Sequence, residues 1–539
     1  MYCNIIRMLL TLFMQKSLIR RNDTNCFSEF SNKLTYNQSF FKDLIQKEFS
    51  LEAFEKQIEE KSNFSLEKRN VLHKALISQY NLVDFSQKTR ENIDLLPSST
   101  TFTVTTGHQL NIFTGPIYFI YKILHVIKLA EELKLAYPEK NFVPIYWMAS
   151  EDHDFEEINH TFLFNRKISW ESDFGGAVGK YPFDSFSELK VEVKQFFANY
   201  PDSKVHALLE KYAGTNLAEA TFSFVNELFK EYGLVIIDGD NKELKREFIP
   251  ILKQEIESSF SEKAVLESNK IIEELSFKPQ IFARPINLFY LSEKNRIRII
   301  KSDNIFEIEG LGNFNKEEIL DLIDSNPDNF SPNVVLRPVY QETILPNLAY
   351  IGGGGEIAYW TQLKAVFDAA NIPFPLIQVR NSIQILDKNA QKKATKLGFS
   401  TEELFLSLAE LKEIYLQNNL KEEIDFTELE NQGKNLATLF DKQITGFDSN
   451  LKNYAEAEKT KLQNQLESIK QKIKKLQKSQ FDQELKQIED LKNKLFPNNG
   501  LQERTDNFLN FCPDGDYEKL ISELFEAINP FEKDLIVLS

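Results

Sequence analysis

The sequence predicts an α/β fold: a Rossmann-like parallel-sheet core with connecting insertions, plus a long antiparallel α-helical coiled-coil domain. Three observations predict it. Over residues 1–384, short β-branched or aromatic runs alternate with amphipathic helical stretches, the pattern of βαβ units and a parallel sheet. Polar loops follow several of those runs, where open α/β sheets place their ligands. Over 385–496 glycine is scarce, Lys, Glu and Gln dominate, and apolar residues step in heptads.

Residues 5–14 are apolar apart from Arg7 and Thr11, a stretch too short to cross a bilayer. Its basic residues, Lys16, Arg20 and Arg21, follow the apolar run instead of preceding it, unlike a secretory signal. It reads as an extension, with Met14 as an alternative start and a weak signal anchor as the lesser reading. Residues 27–95 read as helices, with Ile45, Phe49, Leu51, Phe54 and Ile58 near helical spacing. The run 102–106 (FTVTT) is a strand ended by Gly107, and the loop 108–116 (HQLNIFTGP) follows. A helix over 117–136 carries Ile120, Ile123, Leu124, Ile127 and Leu133 on one face. The run 142–148 (FVPIYWM) is the next strand and ends in the polar run 149–160 (ASEDHDFEEINH). Further strands are expected at 234–238, at 348–351 before four glycines, and at 375–379, with a helix from Glu356 to Ala370. Segments of about 160–230 and 245–335 look like insertions, and 288–300 is a candidate hairpin within the second.

In the coiled-coil domain, Leu462, Leu466, Ile469, Ile473 and Leu476 step 4-3-4-3. After a skip, Phe481, Leu485 and Ile488 resume the seam. One helix over 445–495 would be roughly 75 Å long at about 1.5 Å per residue, and it needs a partner. The preceding stretch, 385–440, is the nearest. Pro497 and Gly500 stop the helix, and 497–539 is expected to return to the core.

The totals bound the function. A chain of 539 residues suggests about two to four domains. Its 42% hydrophobic and 27% charged residues exclude disorder as the default. A formal charge of −16 argues against nucleic acid and against anionic membranes as partners. Cys3, Cys26 and Cys512 are far apart and odd in number, neither a disulfide framework nor a zinc motif, which fits the cytoplasm.

Three motifs carry candidate chemistry. The first is Gly107-His108-Gln109 with Asn111 and Gly115, between a strand and a helix. Free backbone N–H groups there favour an anion, and His108 could donate to a phosphate or a developing oxyanion. It matches neither a Walker loop nor GxGxxG. The second is Glu151-Asp152-His153-Asp154 at a strand end. Asp154 would cap the next helix, with Glu157 completing a capping box. The others could position an amine, act as a base or bind a metal, with His160 two helical turns after His153. No spacing there is diagnostic of a metal site, and no metal ligand is assigned. The third is Gly352 to Gly355 with Glu356, where Gly353 and Gly354 would let the backbone approach a ligand. Asp238 and Asp240, at another strand end, could contact a ribose or an amine. Arg284, Arg337 and Lys364 are possible anion holders.

The segments TTGHQLNIFTGPIYFIYKILHVIKLA, VPIYWMASEDHDFEEINH, YIGGGGEIAYW and FPNNGLQER, in that order, resemble the cysteine-adding enzyme family of bacillithiol biosynthesis. The resemblance runs from about residue 14 to the end. It implies a Rossmann-type core similar to class I aminoacyl-tRNA synthetases, and a homodimer formed through the coiled coil. It implies a ligase joining L-cysteine to the amine of glucosaminyl malate. Gly107-His108-Gln109 takes the place of the HIGH-type nucleotide loop, which makes ATP or ADP the nucleotide to consider. Only one histidine is present, and no KMSKS-like loop accompanies it, which argues against ordinary adenylation. The residues alone also allow a metal-assisted hydrolase built on the 151–160 cluster, or a coiled-coil scaffold with a degenerate core.

Overall fold

A computed structural model describes residues 14–539 except 82, 184–185 and 421–424. Cys3 and most of the apolar run 5–14 lie outside the described residues. Five strands form the central sheet: β1 (Thr101–His108), β2 (Asn141–Met148), β3 (Val235–Asp238), β4 (Asn347–Gly352) and β5 (Leu376–Val379). All pair in parallel, in the order β5-β4-β1-β2-β3. These are the five strands expected from the β-branched and aromatic runs. The order read from the other edge is 3-2-1-4-5, so strand sequence reverses between β1 and β4.

Every residue of β1 is buried, as a parallel strand covered on both faces must be. Helix α1 (Tyr118–Ala136) packs on β1 and β2, and its buried positions include Ile120, Ile123, Leu124, Ile127 and Leu133. The helix expected from Glu356 to Ala370 begins earlier and is interrupted. It consists of α2 (Gly354–Trp360), a tight turn at Thr361–Leu363, and Lys364–Ala369. At the turn, Thr361 bonds back to the Ala358 carbonyl, and Gln362 turns away to Asn269 and the Ile281 carbonyl.

Between β3 and β4 lies a five-stranded sheet whose members include the expected hairpin, Leu288–Leu291 antiparallel to Arg296–Ser302. A three-stranded sheet joins Lys16–Ile19, Leu535–Leu538 and Ile383–Ile385. Residues 500–539 thus fold with the first compact unit, and Leu386–Asn499 form a second.

In the second unit, α3 (Thr427–Phe447) pairs with α4 (Lys452–Ser479), and α5 (Asp482–Leu495) packs on helices Lys388–Leu397 and Leu408–Asn419. The single long helix expected over 445–495 is therefore broken twice. Asp448 turns the chain after α3, its side chain accepting the Asn450 N–H. Phe481 leaves helical geometry at φ −113 and ψ 16, and its ring meets Tyr415 edge-on. This second break coincides with the skip in the heptads. Helix α4 alone, at 28 residues, is about 42 Å long. A side chain at Gly433 on α3 would collide with Leu466 of α4, so glycine permits close approach of the two helices. The seam is only partly covered: Ile469 and Leu476 are 49% and 61% exposed.

His125 of α1 is buried, and its Nδ1 accepts the Asn381 N–H at 3.2 Å. Burial, with the charges of Arg380 and Arg21, pushes its pKa down to about 3. The unfolded chain takes up this proton near pH 6.5, whereas the native chain stays neutral until about pH 3. The stabilisation is therefore whole above pH 6.5 and is lost as pH falls from there towards 3, with a slope of up to about 1.4 kcal/mol per pH unit. Urea unfolding of His125→Gln should show a shallower acid dependence than the native chain, by about one proton. Equal slopes would mean that His125 titrates normally.

Candidate functional site

The carboxyl ends of β1 and β4 meet where strand order reverses, and an ion pair occupies that seam. Lys122, on the face of α1 against the sheet, donates to the Gly107 carbonyl at 2.8 Å and pairs with Glu356. Tyr350 of β4 accepts the Gly107 N–H at 3.1 Å and donates to the Glu356 carboxylate. Burial alone would raise the Glu356 pKa, but Lys122 and Tyr350 hold it below the usual carboxylate value. The Arg337 guanidinium lies among the rings of Trp147, Tyr350 and Trp360, and its Nη2 is buried without a partner.

The glycine run serves the protein at two positions. A Cβ on Gly352 would lie 2.9 Å from the Glu356 carboxylate, and one on Gly354 would lie 2.5 Å from Ser31 Oγ. Gly353 and Gly355 face open space, and the Gly353 N–H donates to Glu356.

His108 is 8% exposed, between the rings of Tyr118 and Phe119. Its Nε2 has no hydrogen-bond partner. Burial, then the charges of Lys122 and Arg380, keep its pKa well below the ordinary value, so the imidazole is neutral. The following loop is strained. Phe113, Thr114 and Gly115 all take positive φ, at 49°, 70° and 63°. For a β-branched Thr this is a rare geometry, costing on the order of 1–3 kcal/mol. Asn507 holds the loop by donating to the carbonyls of Phe113 and Gly115, both at 2.8 Å, while the Phe113 ring packs on Phe186 and Tyr212. Gly115 is required because a Cβ would lie 2.7 Å from that of Asn111.

The loop is tied to the acidic segment after β2. Gln109 donates to Asp152 and Glu157, both at 2.8 Å, and Asn111 donates to the Glu157 carbonyl at 3.1 Å. Burial pushes the Asp152 pKa up, but hydrogen bonds from His153 and Gln109 and the charge of Arg296 hold it well below the carboxylate range. Arg296 also stacks on Phe289 and lies 3.1 Å from His153 Nδ1. Glu151 turns the other way, to Lys245 at 2.7 Å, which also pairs with Asp240. Burial, more than the Lys245 charge can offset, raises the Glu151 pKa. Asp238 accepts from Ser150, and burial with the Asp240 charge pushes its pKa up to about 6.

Two expectations for this segment fail. Asp154 takes the N-cap position but makes no side-chain cap bond, because the helix is only Phe155–Ile158 and Glu157 is engaged by Gln109. His153 and His160 do not share a helix face, since a strand begins at His160. Among the described residues, no three or more His, Cys, Asp or Glu side chains are grouped to hold a metal ion.

The candidate residues thus fall into groups. Gly107, His108 and Glu356 meet at the seam. Gln109 and Asn111 line a cavity of about 280 Å³ beside it, and Gln109 ties Asp152 to that loop. Glu151 is linked through Lys245 to Asp240, which with Asp238 lines a separate cavity of about 400 Å³. Gly115 supports the first loop, and His153 and Asp154 are exposed. Sequence reasoning missed Lys122, Lys245, Arg296, Arg380, Glu503, Arg504 and Asn507. Lys122 carried a signal, as a lysine inside an apolar helix run. Glu503 and Arg504 fall in the segment FPNNGLQER, but the buried two-point ion pair of Glu503 with Arg380, 123 residues earlier, has no local mark.

These features define a class: a Rossmann-type α/β protein with its crevice at a strand-order reversal, joined to a helical coiled-coil unit. The family model described as bacillithiol biosynthesis BshC, N-terminal Rossmann-like domain, matches residues 14–381. The BshC C-terminal coiled-coil domain matches 383–539, a span that includes the segment folding with the first unit. The chain belongs to the BshC family of bacillithiol biosynthesis. A relative from Flavobacterium psychrophilum is 42% identical over 489 residues, covering 89% of this chain and 91% of the relative. One from Flavobacterium johnsoniae is 40% identical, covering 95% and 97%. One from Christiangramia forsetii is 41% identical, covering 91% and 92%. All three carry the provisional name cysteine ligase BshC. No helix among the described residues is long and apolar enough to cross a membrane.

The clamp on the strained loop is open to test. Asn507→Ala leaves two carbonyls unsatisfied, and should cost about 1–3 kcal/mol in urea unfolding. Hydrogen exchange over residues 109–116 should accelerate in the variant. Unchanged exchange there would show that the aromatic packing of Phe113 suffices.

Proposed function

We propose that this protein is a cysteine-adding ligase, forming an amide between L-cysteine and the amine of glucosaminyl malate to give bacillithiol. One observation carries the site assignment: a buried, neutral histidine with an unpartnered Nε2 at the seam of β1 and β4. Amide formation needs an activated acyl group and an amine free of its extra proton. The N–C bond forms as the bond from the acyl carbon to its leaving group breaks, and the amine's proton passes to a base. His108 Nε2–H is suited to stabilise charge on the activated cysteinyl group. Asp152, kept ionised, is suited to hold the substrate ammonium, and the exposed His153 ring beside it is the group available to take the proton.

A nucleotide, ATP or ADP, is the cosubstrate to consider. The unpartnered His108 Nε2 and Arg337 Nη2 near Gly107 fit an anion such as its phosphates. The nucleotide would supply the activation of the cysteine carboxylate.

Mass spectrometry of enzyme with cysteine and glucosaminyl malate, with and without ATP and magnesium, tests the reading. His108→Ala should lower turnover by about 10²–10³, as loss of an oxyanion donor does. Asp152→Asn should chiefly raise the KM for the amine. If both variants fold and keep native turnover, the assignment is wrong.

The coiled-coil unit is suited to pair with a second copy. Its helices leave Leu439 57%, Phe440 46% and Leu476 61% exposed, more apolar surface than a closed seam leaves. Light scattering should give a dimer for the native chain and a monomer for the double variant Leu439→Glu, Phe440→Glu. A native monomer would remove this part of the reading.

A further inference from the structure

The cavity of about 280 Å³ beside the 108–116 loop is lined by Gln109, Asn111, Tyr118, Glu157, His160 and Arg504, among others. Its polar groups are unevenly satisfied. Asn111 is 7% exposed, and its Nδ2 is committed to the Glu157 carbonyl, which fixes the orientation of the amide. Its Oδ1, an acceptor, then has no donor. Glu157 adds a carboxylate to the same wall, bound by Gln109 through one oxygen. Arg504, delivered by the C-terminal segment, brings an exposed guanidinium that makes no hydrogen bond or ion pair with any described residue. Tyr118 links this cavity to the seam, because its ring meets that of His108 edge-on at 5.3 Å.

One unpartnered acceptor, one exposed carboxylate with an oxygen to spare and one unpaired guanidinium call for a ligand with a donor cation and an anion on one small frame. We propose that this cavity is the docking site for a free α-amino acid: its ammonium bonds Asn111 Oδ1 and the Glu157 carboxylate, and its carboxylate pairs with Arg504. The volume falls just below the range of about 300 to 1,000 Å³ usual for ligand cavities, and favours an amino acid over an amino-sugar acid. A guanidinium is the side chain best shaped to take a carboxylate through two parallel bonds. This inference rests on the ligase reading, with L-cysteine as the amino acid. Arg504 and Glu157 are binding residues that hold cysteine beside His108 before its carboxylate is activated.

The test is isothermal titration of the full-length chain, and of Arg504→Gln and Glu157→Gln, with four ligands. These are L-cysteine, cysteamine (no carboxylate), 3-mercaptopropionate (no amine) and glucosaminyl malate. Both substitutions lie at exposed positions, and glutamine at 157 keeps an acceptor for the Gln109 amide. Arg504→Gln should weaken cysteine and 3-mercaptopropionate by about tenfold, the scale of a lost charge-assisted bond, and leave cysteamine unchanged. Glu157→Gln should weaken cysteine and cysteamine and leave 3-mercaptopropionate unchanged. The KM for cysteine should rise in parallel, with that for glucosaminyl malate unaffected. Cysteine affinity unchanged in both variants would overturn the proposal, and so would losses falling on glucosaminyl malate instead. Product formation by the native chain with either of those outcomes would sink the cavity assignment alone. A native chain that binds neither substrate and forms no product would sink the ligase reading as well.

Discussion

The Lys122–Glu356 ion pair joins the helix after β1 to the helix after β4, across the line where strand order reverses. Both groups lie inside the protein, with the lysine side chain 5% and the glutamate 18% exposed. Two charges so placed are tolerated only when their remaining bonds are met. Here the Gly107 carbonyl, the Tyr350 hydroxyl and the Gly353 N–H meet them. Losing either partner of such a pair costs about 3–5 kcal/mol, because the other is left charged and buried. The pair therefore locks the two loops of the crevice to each other. It also places a fixed positive charge near His108, which helps keep the imidazole neutral and its Nε2 free for another group.

The crevice is closed from the far end of the chain. Residues 502–507 reach the loop after β1 through Asn507, the start of α1 through Asp506, and the segment after β5 through Gln502 and Glu503. Each contact satisfies a backbone group that a loop cannot satisfy by itself. Three successive positive φ angles need surrounding structure to hold them, and here the Asn507 bonds and the packing of Phe113 on Phe186 and Tyr212 supply it. The same short segment supplies Glu503 to Arg380 and presents Arg504 at the cavity. Structural support and candidate ligand contacts thus come from adjacent residues.

Much of the fold was legible in the sequence. The five strands, α1 and the hairpin beginning at Leu288 stood out because β-branched runs and helical periodicity are local signals. The heptads marked a coiled coil, but the single helix they implied over 445–495 is broken at Asp448 and at Phe481, the second break falling at the skip. The loops at the strand ends could be named as well, since a strand end is where a parallel sheet exposes its polar loops. The roles within those loops were less legible. Glu151 and Asp152 are neighbours in sequence, yet one turns to Lys245 and the other to Gln109. Asp154 and Glu157 matched a capping box, but Gln109 from another loop claimed the Glu157 carboxylate.

By itself the sequence determined the five strands of the central sheet, α1, the heptad-bearing helical region, the α/β class and the positions of polar residues at strand ends. All of these follow from the preferences of near neighbours along the chain. Tertiary structure alone decided the strand order, the pairing of Lys122 with Glu356, and the arrival of Arg504 and Asn507 beside the first loop. It also decided which polar atoms, such as His108 Nε2 and Asn111 Oδ1, were left without partners. The physical reason is that a buried charge or hydrogen-bonding group takes its partner from whatever the fold places within reach. That partner can lie hundreds of residues away, where no local pattern records it.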